Sequence, residues 1–280
     1  MRLLFCGVRG STSAPGAEFV RVGGHTSCVA LAHDEQPYAL ALDAGTGIRR
    51  ITDHLDGRAF DGSVVLTHLH WDHVQGLPFF AAADRDDAHV RVVMPDQTDA
   101  DGRTLEPADV LALAMSPPHF PIGPEGLRGA WTFESVKPGS HRIEGFEVVA
   151  FDVPHKGGRT FGYRVSDGAT SIAYIPDHCP QSDTTPAIAQ ECAGVDLLIH
   201  DAQFLEHERA VADLYGHATD GDAVDIARRC GARRLALFHH SPARRDDEVE
   251  AIGTAAIETA IDLGVDVLVA REEDVIDLRL

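Results

Sequence analysis

Short apolar runs broken by turn residues set the first pattern along the chain. Leu3–Val8, Cys28–Ala32, Tyr38–Leu42, Val64–Thr67 and Val90–Met94 have the length and aliphatic content of strands. Two helical patterns interrupt them. Thr46–Leu55 follows the turn Asp43-Ala44-Gly45, and Pro107–Met115 carries a proline where a helix tolerates it, in its first turn. Ser116–Gly129 holds Pro117, Pro118, Pro121 and Pro124 without periodicity, which predicts a surface loop. A second β-rich stretch spans Trp131–Val136, Phe146–Phe151, Thr160–Val165 and Ser171–Ile175. After it come a strand at Val195–His200, a helix at Thr219–Cys230, a strand at Arg233–Phe238, a long helix at Asp246–Leu263 and a strand at Val265–Val269. No linker-like composition or short repeat divides the chain. Residues 1–280 therefore read as one α/β domain made of two β-to-α halves, with two packed sheets and helices outside them.

The same pattern holds no run of eighteen apolar residues, and Met1-Arg2-Leu3-Leu4-Phe5 leads at once into Gly7, Arg9 and Gly10 instead of the apolar core of a secretion signal. A cytoplasmic protein with no membrane partner is expected. Of the 280 residues 44% are hydrophobic, enough for a sizeable core. The 24 Lys and Arg residues are outnumbered by 44 Asp and Glu, for a net charge of −20. Such a surface repels polyanions, so extended nucleic acid is disfavoured as a partner. The 5 cysteines are widely spread and never paired as Cys-x-x-Cys, which predicts buried reduced thiols.

Candidate chemistry gathers on histidine, of which there are 16. Residues 67–73 read Thr-His-Leu-His-Trp-Asp-His, directly after an apolar strand. On extended backbone His68 and His70 point the same way and can clamp one cation. Asp72 and His73, at the opening of a helix, offer an oxygen and a nitrogen to a second. Two cations need further ligands. His155, Asp177 and His239 each follow a predicted strand at its carboxyl end, where α/β proteins assemble their sites. A carboxylate can give one oxygen to each of two ions, which makes Asp177 the candidate bridge.

Thr67–His73 matches the H-x-H-x-D-H signature of the metallo-β-lactamase fold, and His155, Asp177 and His239 fall in the order of that family's remaining ligands. The chain most resembles the phosphodiesterase branch that contains tRNase Z and the phosphoribosyl cyclic phosphodiesterases. The likeness runs through Gly-Gly-His-Thr-Ser-Cys at 23–28, Asp-Ala-Gly-Thr-Gly at 43–47, His-Asp-Ala at 200–202, Gly-His-Ala-Thr at 216–219 and Phe-His-His-Ser at 238–241. It implies an αββα four-layer sandwich with two divalent metal ions at one edge, zinc in the first instance, with manganese or iron as alternatives. It assigns His68, His70 and His155 to one ion, Asp72, His73 and His239 to the other, and Asp177 to both. Asp43 would hold a ligand histidine in orientation. In tRNase Z-like sequences a Glu in H-E-A-T and a histidine in H-S-T form a general-acid pair. Asp201 and His217 occupy the matching places here, the Asp being shorter than the Glu, and with Asp72 they complete the implied catalytic set.

Two divalent ions, offset by Asp72, Asp177 and a hydroxide, would leave a positive pocket inside an acidic protein, a focus for a singly charged phosphodiester. Metal lowers the pKa of bound water toward about 7 and so gives a nucleophile at neutral pH. An alkoxide leaves poorly without a proton whereas a thiolate leaves readily, and an acid contributes roughly 10²- to 10⁴-fold. The expected activity is hydrolysis of a small, cyclic phosphodiester such as a cyclic nucleotide, with His217 as the acid. One alternative is a tRNA 3′-end endonuclease, although no basic, Gly-rich arm lies between Asp177 and His217. The other is a thioester or lactone hydrolase, which would not need His217. Phe79-Phe80 and His119-Phe120 are candidate pocket walls, and a homodimer is the default assembly.

Overall fold

The computed structural model describes residues 1–181 and 183–279. The chain forms strands β1 (Arg2–Gly7), β2 (Cys28–Ala32), β3 (Leu40–Leu42), β4 (Asp61–Val65), β5 (His89–Pro95), β6 (Ala130–Val136) and β7 (Gly139–Ile143). They are followed by β8 (Phe146–Asp152), β9 (Phe161–Ser166), β10 (Ser171–Ile175), β11 (Leu197–Asp201), β12 (Arg234–Phe238), β13 (Asp266–Val269) and β14 (Val275–Asp277). One sheet has the order β14-β1-β2-β3-β4-β5-β6 and the other β13-β12-β11-β10-β9-β8-β7. Helices α1 (Trp71–Val74), α2 (Pro107–Ala112), α3 (Thr185–Glu191), α4 (Arg209–Tyr215), α5 (Asp220–Cys230) and α6 (Asp246–Ala260) lie between strands.

Period-two alternation decides what each sheet face meets. On β1, Leu3 and Phe5 enter the cluster between the sheets, where they join Leu31, Leu42 and Val65 from their own sheet and Val148, Tyr163, Tyr174 and Phe238 from the other. Leu4 and Cys6 turn the opposite way, onto Ile48, Ile51, Leu77 and Phe80. The far face of the second sheet, through Ala173, Leu198, Leu235 and Val267, packs on Ile188 of α3, Val224 and Ile226 of α5 and Ala256 of α6. The layers are therefore helix, sheet, sheet, helix: the expected αββα sandwich.

The two sheets gather their parallel strands toward the same functional edge. Strands β3 to β6 run parallel in one sheet, and β10 to β13 run parallel in the other. Loops after β4, β8, β10, β11 and β12 carry the histidines and acids of interest. The expected helix at Thr46–Leu55 instead forms successive 3₁₀ turns over Thr46–His54, with Ile48 and Ile51 buried. Three-residue spacing eclipses those two side chains in a 3₁₀ geometry and serves one apolar face.

Candidate metal centre

The loop after β4 delivers His68 and His70, and the short α1 delivers Asp72 and His73. His155 follows β8, Asp177 follows β10, and His239 follows β12. Their donor atoms converge. His68, His70, His155 and Asp177 form one group and Asp72, His73 and His239 another, with the ligand atoms of each group within 4.8 Å of one another. Asp177 joins them. Its Oδ2 lies 3.1 Å from His68 Nε2 and 3.4 Å from His155 Nε2, while Oδ1 lies 2.9 Å from His239 Nε2 and 3.4 Å from His73 Nε2. Asp72 Oδ2 is 3.3 Å from His73 Nε2 and 3.2 Å from His239 Nε2.

His68, His73 and His155 are each aimed by a hydrogen bond at the other ring nitrogen, and those partners set the tautomer. His73 Nδ1 donates to Asp43 Oδ2 at 2.8 Å. His155 Nδ1 donates to the Gly216 carbonyl at 2.6 Å. The Thr67 hydroxyl donates to Asp43 and lies 3.0 Å from His68 Nδ1, from which it accepts. The Tyr174 hydroxyl donates to Asp43 Oδ2 at 3.0 Å, reaching across from the other sheet. Backbone strain marks the same place. Asp43 and His239 take left-handed backbone at φ +61° and +57°, a conformation that non-glycine residues adopt at a cost and that clusters at functional sites. Gly10 is required opposite His239, since a Cβ there would lie 2.3 Å from its Nδ1.

The donor set fits divalent cations. His68 Nε2, His73 Nε2 and Asp177 Oδ1 are buried without a hydrogen-bond partner, although His68 Nε2 lies 3.1 Å from Asp177 Oδ2 and His73 Nε2 lies 3.4 Å from Asp177 Oδ1. The charges agree. Burial opposes protonation of His239, yet Asp177 and Asp72 raise it to about 10. Burial likewise opposes a charged His73, and Asp72, Asp177 and Asp43 carry it well above its ordinary value. Buried acids thus hold protons on two imidazoles where cations would satisfy them. His68 is depressed by burial and then by His73, and burial carries His155 down to about 4, which keeps both in the neutral form that binds metal.

His217 and Asp201 stand beside these groups. Asp201 ends β11, and His217 follows Gly216, the left-handed cap of α4. His217 Nδ1 donates to Asp201 Oδ2 at 3.0 Å. Three backbone N–H groups fix the same carboxylate: His178 at 3.2 Å and Ala218 at 3.1 Å on Oδ2, and Gln203 at 3.0 Å on Oδ1. Burial would raise Asp201, but the charge and hydrogen bond of His217 bring it below the ordinary carboxylate value. The His217 ring stacks 5.2 Å from His239, and it lines a cavity of about 410 Å³ with Ser11, His70 and Asp177. The Ser11 N–H donates to Asp72 Oδ2 at 2.7 Å.

The candidate metal ligands, Asp43, Asp201 and His217 are therefore brought to one edge. Thr67, Tyr174, Ser11 and the Gly216 carbonyl are neighbours that sequence reasoning passed over. Tyr174 had a signal, since its parity on β10 turns it toward the sheet interface. His178 and His200 pair with each other, His178 Nδ1 lying 2.9 Å from His200 Nε2, and His240 Nε2 donates to the Ala270 carbonyl. Phe80 is core, whereas Phe79 is exposed and meets Phe120 edge-on at 5.9 Å.

A four-layer sandwich with two adjoining His/Asp groups at the carboxyl ends of its strands defines a metal-dependent hydrolase. The chain belongs to the β-lactamase superfamily, whose domain model matches residues 42–240. It is similar to ribonuclease Z of Salinibacter ruber, at 28% identity over 81% of this chain and 85% of that one. A stronger but local likeness to ribonuclease Z of Porphyromonas gingivalis, 41% over 69 residues, spans 25% of this chain and 23% of that relative. Among solved structures, the metallo-β-lactamase fold protein YhfI of Bacillus subtilis superposes with a TM-score of 0.72 at 18% identity over 99% of both chains. Among the described residues no helix is long and apolar enough to cross a membrane.

Proposed function

We propose that the protein holds two divalent cations, zinc by preference, and hydrolyses a small cyclic phosphodiester of the cyclic-nucleotide kind with His217 as general acid. The His217–Asp201 pair carries the reading, because hydrolysis of a thioester has no use for it. His68, His70 and His155 would hold one ion, Asp72, His73 and His239 the other, and Asp177 both. Bound there, the ions supply a nucleophilic water at neutral pH and offset charge on the phosphoryl oxygens. Asp201 accepts from His217 Nδ1, so Nε2 is the atom left to carry a proton to the departing oxygen. The carboxylate is itself locked by three backbone donors, and this rigidity answers for its being shorter than a glutamate.

The ribonuclease Z relatives favour a second reading, cleavage at the 3′ end of a tRNA precursor. Small substrates are favoured by two features of this chain. Its net charge is −20, and between Asp177 and His217 the sole basic side chain is Arg209, which pairs with Glu206 and Asp222. The test compares wild type with His217→Ala on a cyclic mononucleotide and on bis(p-nitrophenyl) phosphate. Turnover of the alkoxide-leaving substrate should fall roughly 10²- to 10⁴-fold with metal content unchanged, and that of the nitrophenyl ester far less. Equal losses would end the acid assignment. Cleavage of a tRNA precursor, with cyclic nucleotides left intact, would select the second reading.

A further inference from the structure

A second cavity, of about 400 Å³, opens beside the first and is divided from it by Leu69 and Trp71, which line both. The two differ in what they touch. The first contains His217 and not His68; the second contains His68 and not His217. The second cavity is also lined by Val110 and Leu113 of the α2 region. Trp71 is 74% exposed and Leu113 76%, two large apolar side chains left in water at the mouth of a reactive site. The floor is the backbone of Gly157 and Gly158, both at positive φ. A Cβ on Gly157 would lie 2.7 Å from His70 Nε2, so the floor stays flat only without side chains.

The polar end is not an anion site. Arg159 lies there, but its guanidinium is spent on Asp152 and Asp96. Gln97 is different. Its Nε2 reaches the Pro95 and Arg159 carbonyls only at 3.4 Å and its Oε1 accepts from Arg159 N–H at 3.5 Å, bonds long enough to be exchanged for better ones. A slot with apolar walls, the His119 ring and one loosely held amide suits a planar group that stacks and presents hydrogen-bonding edges.

We propose that this slot is the subsite for the part of the substrate that stays esterified to phosphorus, and that it takes a nucleobase stacked between Trp71 and Leu113 with Gln97 at its edge. The proposal rests on the phosphodiesterase reading above. An acid at His217 places the departing oxygen in the first cavity, which leaves the second to the retained group.

The test uses the metal-loaded enzyme and two esters with the same leaving group, thymidine 5′-(p-nitrophenyl) phosphate and methyl p-nitrophenyl phosphate. In each, water adds to phosphorus, the bond to the aryl oxygen breaks and p-nitrophenolate departs, so only the retained group differs. Stacking of one base should favour the nucleoside ester by about tenfold or more in kcat/KM. Leu113→Asp, at a surface position where folding is not at risk, should lower that ratio at least about fivefold, and Gln97→Leu should change the preference among thymine, adenine and guanine esters. A wild-type ratio near one, equal losses on both esters in Leu113→Asp, or bis(p-nitrophenyl) phosphate favoured as strongly as the nucleoside ester would overturn the base assignment while the phosphodiesterase reading stands. Hydrolysis of neither ester alongside turnover of a thioester would overturn that reading and the slot with it.

Discussion

The Tyr174 hydroxyl donates to Asp43 Oδ2 at 3.0 Å across the seam between the two sheets. Asp43 in turn accepts from His73 Nδ1 and from the Thr67 hydroxyl and N–H. Burial, and then the Asp43 charge, holds the Tyr174 hydroxyl well above its ordinary value, so it stays protonated and can only donate to that carboxylate. One residue of the second sheet thereby steadies the histidine cluster of the first. Tyr174→Phe keeps the ring contact with Phe238, at 5.6 Å, and removes only the donor. Chemical denaturation of the metal-free protein should show a loss of about 1–3 kcal/mol. Metal titration should show a weakening of about 10- to 100-fold. A wild-type affinity in the variant would mean that Asp43 is oriented without it.

Asp177 faces both histidine groups, Oδ2 toward His68 and His155 and Oδ1 toward His73 and His239. Asp177→Ala should lower elemental metal content below two per chain, with hydrolysis largely lost, whereas an exposed control such as Asp247→Ala should change neither. Chelation of the wild type should lower its melting temperature, because ions that bind only the folded state stabilise it by mass action. Two ions per chain in Asp177→Ala would remove it as the bridge.

Asp201→Asn tests how His217 is held. The carboxylate accepts four hydrogen bonds, and an amide turns one oxygen into a donor facing N–H groups or an imidazole already bound as donor. Activity on alkoxide-leaving diesters should fall by roughly 10²- to 10⁴-fold, since the wrong imidazole tautomer is then favoured. The nitrophenyl ester should lose much less. Stability should also drop by about 1–3 kcal/mol for the unsatisfied buried groups. Equal kinetic losses on both esters would point to general disruption of the edge.

The sandwich and the gathering of the candidate ligands were legible because His68, His155, Asp177 and His239 each follow an apolar strand, and strand ends are easily read. What was hidden shares a physical cause. Strand β7 has Ile143 as its one apolar residue and lies at the sheet edge, so it never needs alternation. Strand β14 has three residues, none of them fully buried, and helix α4 exposes Val211, Leu214 and Tyr215, against the usual helical pattern. The backbone neighbours of the site were equally silent. Ser11 contributes a backbone N–H and Gly216 a carbonyl, groups every residue possesses. His178 and His200 carry titratable side chains, yet their pairing depends on the parallel register of β10 and β11.

Glu272 gives the fold a pH dependence separate from the metal edge. Its carboxyl accepts from the His25 N–H and approaches Arg50 at 3.8 Å, beneath a turn where a Cβ on Gly23 would meet it at 2.3 Å. Burial raises its pKa from 4.5 to about 7, against the opposing pull of the His25 hydrogen bond and Arg50. A folded-state value above the unfolded one means that the native protein holds the proton more tightly. The contribution is therefore full below pH 4.5 and is lost as pH rises through about 7. It is worth at most about 3 kcal/mol. Glu272→Gln keeps the acceptor for His25 without the charge, so its stability relative to wild type should increase between pH 5 and pH 8. Urea denaturation at several pH values on metal-free protein measures this directly. A difference between variant and wild type that stays constant across that range would show that Glu272 is ionised in the fold throughout.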